Sequence, residues 1–514
     1  MNPVIVIPTY VCARRNDVDA GILQTFDHAT PLGAQGELPR CLSSLENVNG
    51  VGQIVVLVAC DEGIAERAEA QVHSICTQFP TLHTAVFGRS EIELIQQRMA
   101  QLNLGTFYDE VGVDSYGAIK NLGLVISHIL GFDSVVFIDD DEVVEDADFL
   151  AKAVYGLGKM TRGGVPILAK SGYYYNAQGS YLSSKKETWA DGKWPQAKLF
   201  NQWIERAMAG KRLSRSNHAC GGCLALSEQA YKRVAFDPYI ARGEDLDYLL
   251  NLRMYGSDMW FDNQWSLTHR PPKTASEGTR FRQDVYRWAY EYRKMEFSRT
   301  QIDLLQIKPS ALEPYPGPFL RPDVLKRLRS TARARMLSGG DARAYSEAAR
   351  IAGTEADSYA QDQCNRYFQL QYVWPEVMSR LKGDAILRAA LVQSVSQRSV
   401  EARRRGQEAE LQDDMGYEVT ERPARAGRRS AQPVRRSVAE ESAAAEAERA
   451  AAAAAAASAE AAIAAAASGA VAEDEEVSKQ AGRLFEQDGE AVGFDPGATC
   501  EIRLNIADYA DYAD

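Results

Sequence analysis

Four consecutive acids, Asp139-Asp140-Asp141-Glu142, follow directly on the apolar run Val135-Val136-Phe137-Ile138. Carboxylates this close repel one another, and a cation between them offsets that cost. Oxygen ligands of this kind suit Mg2+ or Mn2+, ions that are usually shared with substrate phosphates. The plain alternative is a solvated acidic turn before a helix N-terminus, which favours Asp and Glu. A second acidic group, Gly243-Glu244-Asp245-Leu246-Asp247, reads as the start of a helix. There the acids either complement the helix dipole or include a general base. His269 precedes the paired prolines Pro271-Pro272. An imidazole at that place is either structural or a ligand, and it suits Mn2+ better than Mg2+. Cys220-Gly221-Gly222-Cys223 has C-x-x-C spacing, but no second such pair and no paired His follows it, which argues against zinc or redox chemistry.

These residues need a frame to hold them. Val4 to Ile7, Gln53 to Val58, His83 to Phe87 and Val135 to Ile138 read as buried strands, and helical spacing separates them over Leu38–Leu45, Ile64–Phe79, Glu91–Leu102 and Gly117–Leu130. Gly131 is placed to cap the last of these helices. Strands alternating with helices predict βαβ units and a mostly parallel sheet, with ligands at the carboxyl ends of the strands. The Asp139–Glu142 acids lie at such an end. Further on, Val165–Tyr175 predicts an aromatic strand, Tyr181–Met208 a long loop with a helix, the Cys220–Cys223 glycines a close approach into a strand, and Met259–Phe261 a short strand. Phe281–Phe297 predicts an aromatic helix, and helical spacing continues from about 322 to 398 with a break at Gly339-Gly340. From about 401 Arg-rich and then Ala-rich sequence lacks core residues, which predicts disorder or transient helix. The organisation expected is therefore an α/β domain over 1–275, a helical appendage over 276–400, a linker over 401–480 and a tail over 481–514.

The 514 residues suffice for two or more domains, and a net charge of −12 argues against a nucleic-acid partner. The eight scattered cysteines read as reduced, which points to the cytoplasm. The first residues show no leader pattern, and no run is apolar and long enough to span a bilayer.

Several stretches together resemble the family 2-like glycosyltransferases of the GT-A fold, a Rossmann-like mixed sheet flanked by helices. They are Ile7-Pro8-Thr9-Tyr10, Leu38 to Leu45, Cys60-Asp61-Glu62-Gly63, Lys120-Asn121-Leu122-Gly123, Asp139-Asp140-Asp141, Gly221-Gly222-Cys223, Gly243 to Asp247, and Thr268-His269. The resemblance covers about residues 3–272 and leaves the C-terminal half unexplained. It implies a nucleotide-diphospho-sugar donor, a divalent metal and transfer to an acceptor hydroxyl on a glycan or a lipid-linked carrier, as in surface glycan or glycolipid synthesis. It assigns Asp141 to Mn2+ or Mg2+, with Asp139 at the metal shell or the donor ribose, Asp140 beside the donor, and His269 as a third ligand. Asp245 takes the role of base, with Glu244 next to it in catalysis or acceptor binding. Pro8, Thr9 and Tyr10 would line the nucleotide, Asp61 would bond its base, and Lys120 would meet the base or the diphosphate. Trp189, Trp194 and Gly222 fall where relatives bind acceptors, with Trp203 and Tyr173 to Tyr175 nearby. Inversion is slightly favoured over retention. The chain departs from the pattern in its long polar loop over 16–36. Gln283 to Trp288 reads Q-x-x-x-R-W, one residue longer than the motif of processive synthases, so a processive polymerase is not expected. The rival readings are a non-catalytic sugar-nucleotide or carbohydrate-binding module and a sugar nucleotidyltransferase, which would need a Gly-rich loop where Pro8-Thr9-Tyr10 stands. The Arg-rich tail leaves open a peripheral contact with the inner face of a membrane.

Overall fold

The computed structural model describes residues 1–13, 26, 29–104, 107, 110–272, 277–338 and 341–416. Expectations for most of the 16–36 loop, the Gly339-Gly340 break and everything from 417 onward lie outside the described residues.

Among the described residues ten strands make one mixed sheet: β1 (Pro3–Cys12), β2 (Thr30–Pro31), β3 (Gln53–Cys60), β4 (His83–Phe87), β5 (Ser134–Phe137), β6 (Glu142–Val143), β7 (Ala169–Tyr175), β8 (Leu213–Arg215), β9 (Leu224–Ser227) and β10 (Met259–His269). Their order is β4-β3-β1-β5-β9-β7-β10-β6, with β2 beside β1 and β8 beside β10. The half built from β4, β3, β1 and β5 is parallel, as βαβ connections require. The other half is mixed, because β9 runs antiparallel to both β5 and β7. The α/β class with a sheet flanked by helices is thus as the sequence implies, while "mostly parallel" holds only for the first half. The strand expected at Met259–Phe261 extends to His269. It carries an irregularity between Phe261 and Ser266, which is why its apolar pattern breaks off early in the sequence.

Both faces of the sheet are covered. Val4 and Val6 of β1, Val55 and Leu57 of β3, and Val135 and Phe137 of β5 enter one core, while Ile5, Ile7, Ile54, Val56 and Val136 enter the other. This alternation is the period of two that a strand imposes, and double coverage explains the unbroken apolar runs. The helix Tyr116–Leu130 is buried along nearly its whole length. Ser115 Oγ accepts from Ala118 N at 3.2 Å at its start, and Gly131 ends it at φ +85°.

The helices after residue 276 are packed onto this domain, and all described residues fall in one unit spanning Met1–Thr420. The helix Glu277–Ser298 carries the buried Phe281, Val285, Trp288 and Tyr290. The helix Ala356–Leu381 lies along it and reaches the sheet domain, where Trp374 Nε1 donates to Tyr231 O at 2.8 Å. Val324–Leu337 and Ala342–Thr354 pair with each other and with Glu277–Ser298. The last described helix, Ala385–Gly416, runs past the point at which irregular sequence was expected to begin. Among the described residues seven cysteines are free, and no helix is long and apolar enough to cross a membrane.

Candidate active site

The acids after β5 form a tight turn. Glu142 N donates to Asp139 O at 3.1 Å, and Asp139 N donates to Glu142 Oε2 at 3.0 Å. Glu142 then opens β6, which pairs with β10 so that Glu142 faces His269. This register brings His269 Nε2 to 3.1 Å from Asp141 Oδ2, although 128 residues separate them. Asp141 and Glu142 are almost fully buried. Burial, together with the Asp141 and Glu244 charges, pushes the Asp139 carboxyl up to about 6 against the opposing pull of Lys120. Burial and the Asp139 and Asp141 charges hold Glu142 well above the usual carboxylate range. A side chain at Gly222 would displace the Glu142 carboxylate, since a Cβ there would lie 1.9 Å from Glu142 Oε2.

Lys120, on the buried helix Tyr116–Leu130, reaches the same place from below. Its Nζ lies 2.9 Å from Glu244 Oε1 and donates to Gly221 O at 3.2 Å. Burial works against its charge, but the Glu244, Asp139 and Asp245 carboxylates outweigh that and raise it. Lys120 is therefore held in place rather than free in solvent, and Glu244 is its ion-pair partner. Asp245 sits in the first turn of the helix Glu244–Met254 and is partly buried, with no ion pair to any described residue. Gly243 precedes it at φ +78°, and a Cβ there would lie 2.1 Å from Arg287 Cζ.

On the β1 side, Thr9 Oγ1 donates to Asp140 Oδ2 at 2.6 Å. Tyr10 OH donates to Asp61, whose other oxygen accepts from Ala13 N at 2.7 Å. The rings of Tyr10, Phe26 and Tyr116 follow one another at 5.1 and 4.8 Å. Phe26 and Tyr116 were not singled out in the sequence. An aromatic in a polar loop and another at a helix start give no periodic signal.

A single cavity of about 610 Å3 joins these groups. Pro8, Thr9, Tyr10, Lys120, Asp139, Asp140, Asp141, Trp194, Gly222, Glu244, Asp245 and His269 all line it. Two expected residues do not. Asp61 stands behind Tyr10 and orients it. Trp189 is 69% exposed, because its short turn buries Ala190 and Asp191 instead, the latter tied to Arg335 at 2.6 Å. Trp194 does line the wall, but it is anchored between Trp288 and Phe319, with ring centroids at 6.0 and 4.6 Å. Trp203 is core, packed on Phe261.

The far wall comes from the C-terminal helices, which the resemblance does not cover. Arg287, Phe281, Tyr315 and Arg335 line it together with His218. His218 sits among Phe200, Trp203 and Tyr315, and burial with the nearby Arg287 charge drives it down to about 3. Arg287 was visible as part of Q-x-x-x-R-W, and the spacing mismatch hid its position in the wall, while its neighbour Trp288 is buried in the core.

A divalent ion fits the donor set in one respect and not in another. Two atoms bound cis at ~2.1 Å in an octahedral site stand ~3 Å apart, and Asp141 Oδ2 and His269 Nε2 do so. Among the described residues, however, no group of three His, Cys, Asp or Glu side chains is arranged to hold a metal. Asp141 and His269 could supply two ligands at most, and any other ligands would have to come from outside the described side chains. Cys220 and Cys223 are buried thiols pushed well above their ordinary range by burial, which makes them poor thiolate ligands.

No family model matches the chain, and no curated protein matches it. Solved structures similar to it include the mannosyltransferase PcManGT from Pyrobaculum calidifontis, in complex with GDP-Man and Mn2+. That match has 13% identity and a TM-score of 0.35, and covers 76% of this chain and 86% of that one. GalNAc-T7 with UDP, GalNAc and Mn2+ matches at 13% identity and a TM-score of 0.33, over 66% of this chain and 58% of that one. A mycobacterial protein matches at 15% identity and a TM-score of 0.29, over 56% and 74%. Likenesses this remote leave the function to be argued from the site.

Proposed function

We propose that this chain is a metal-dependent, non-processive glycosyltransferase that moves a sugar from a nucleotide-diphospho-sugar to an acceptor hydroxyl. The observation that carries the reading is the convergence of Asp139, Asp141, His269 and Asp245 on one cavity with aromatic rings at one end. In this reading Asp141 and His269 hold Mn2+ or Mg2+, and the bound ion supplies positive charge to the diphosphate leaving group. Tyr10, oriented by Asp61, stacks on the nucleobase with Phe26 and Tyr116. Lys120 holds Glu244 and the Gly221 backbone in position and so fixes the floor between donor and acceptor. Asp245, the acid of its pair that makes no direct bond to Lys120, takes the proton from the acceptor hydroxyl. A base acting on a directly attacking hydroxyl inverts the anomeric centre. Residues 1–275 then provide donor binding and chemistry, and the helices over 276–400 complete the wall that meets the acceptor.

Calorimetry with UDP and GDP tests this, with and without Mn2+, on the wild type and Asp141→Ala. The expected result is metal-dependent binding of one nucleotide that the substitution abolishes. Failure of both nucleotides to bind in the presence of metal would overturn the donor assignment.

A further inference from the structure

The helix Val324–Leu337, sequence VLKRLRSTARARML, contains five basic residues and no acid, in a chain whose net charge is −12. Its inner face is buried through Val324, Leu328, Thr331, Ala332 and Arg335. The opposite face, spaced by three, four and four residues, is Lys326, Arg329, Arg333 and Leu337, all exposed. Two of the five bases are engaged. Arg335 pairs with Asp191, and Arg327 donates to Lys193 O and Pro318 O. Lys326, Arg329 and Arg333 make no ion pair with any described residue, although acids outnumber bases in the chain by 70 to 58.

The turn that carries Trp189 is bound to the same helix. The Arg335–Asp191 pair fixes it to the helix, and Lys193 Nζ donates to Ser330 Oγ at 3.0 Å. Trp189 and Leu337 stand 69% and 74% exposed. An exposed Trp and three exposed cations that pair with no described residue, all carried on one helix and the turn bound to it, are the composition of a membrane-interface surface, where the ring enters the headgroup layer and the cations meet lipid phosphates. A nucleic acid would be met by the cations but would leave Trp189 and Leu337 without a role. The same elements border the cavity, since Asp191 and Arg335 line it.

We propose that the face formed by Lys326, Arg329, Arg333 and Leu337, together with Trp189 on the turn bound to the same helix, docks the protein onto an anionic membrane surface and sets the cavity at the lipid headgroups. The docking does not depend on the reaction proposed above. If that reaction holds, the acceptor is a lipid-linked one presented from the bilayer.

The test is co-sedimentation of the full chain with vesicles of phosphatidylcholine alone and of phosphatidylcholine with phosphatidylglycerol in equal parts. The expected result is binding to the anionic vesicles only, weakened by salt. Each exposed cation contributes about fivefold in partitioning, so Lys326→Gln/Arg329→Gln/Arg333→Gln loses about a hundredfold at low salt. Trp189→Ala is expected to lose several-fold and to raise the salt sensitivity of what remains. All four positions are exposed, and an unchanged thermal melt separates lost docking from lost fold. Metal-dependent nucleotide binding, measured on the same variants, stays unchanged and separates this inference from the enzymatic one. It is overturned by equal binding of both vesicle types, by anionic-vesicle binding that the triple variant retains, or by binding of a single-stranded oligonucleotide with no binding of vesicles.

Discussion

Replacing Lys294 by Met is expected to cost about 3–5 kcal/mol of stability. Lys294, on the helix Glu277–Ser298, is fully buried, with Nζ 2.6 Å from Asp237 Oδ2 and 2.7 and 2.8 Å from the two oxygens of Asp247. Both carboxylates are also fully buried. Some of their hydrogen bonds survive the change. Tyr290 OH and Tyr239 N still donate to Asp237, and Asn251 Nδ2 still donates to Asp247, all at 2.7 or 2.8 Å. The positive charge does not survive. Burial already pushes Asp247 up to about 6 with Lys294 in place, so without it Asp247 takes up a proton at neutral pH while Asp237 keeps its neutral donors. The expected loss is a large share of a typical ~5–15 kcal/mol of total stability. Urea unfolding at pH 7 measures it, as a shift in midpoint at unchanged slope. The deficit should shrink as pH falls, because protonated carboxyls need no counter-charge, and Lys294→Met/Asp247→Asn should recover part of it. A loss below about 1 kcal/mol would refute the reasoning, since it would mean that the interior solvates two carboxylates without the ammonium.

Three further outcomes are expected. Lys120→Met leaves Glu244 buried without its partner, so it should lose about 3 kcal/mol in urea unfolding and regain part of that when combined with Glu244→Gln. Gly222→Ala drives Glu142 out of the acidic turn, so Mn2+-dependent nucleotide binding should fall about tenfold by calorimetry with little change in melting temperature. His73 is buried with an unpartnered Nε2, and burial lowers it to about 4. The unfolded chain then binds more protons between pH 4 and 6.5, so this contribution is intact above 6.5 and is lost, by up to ~3 kcal/mol, as pH falls through that window. His73→Leu should flatten this part of the profile in melts at pH 5 and 7.

The acidic part of the site was legible because it follows a strand end. Asp139, Asp141 and Lys120 sit where a βαβ reading puts them, and the glycine pair at 221 and 222 marks a close approach that the structure makes between Lys120 and Glu142. Pairings that depend on register were not. That Glu142 faces His269 follows from a short antiparallel contact between β6 and β10, and nothing local in either segment encodes it. The aromatic residues around 189 to 203 show why residue type alone misleads. Trp194, Trp203 and Trp189 have similar surroundings in sequence but end as wall, core and surface. The contribution of Arg287 and Tyr315 depends on how helices far along the chain fold back, which periodicity does not report.

The packing of Trp374 against Tyr231 has a consequence for synthesis. Every described strand of the sheet is complete by His269, yet the surface that receives Trp374, Met378 and Leu381 waits for more than a hundred further residues. At ~5–20 residues per second that interval lasts about 5 to 20 seconds, during which the nascent domain presents an apolar face with no cover. A ribosome stalled between β10 and the helix Ala356–Leu381 should therefore hold a chain that is already folded in its sheet and still a ligand for chaperones.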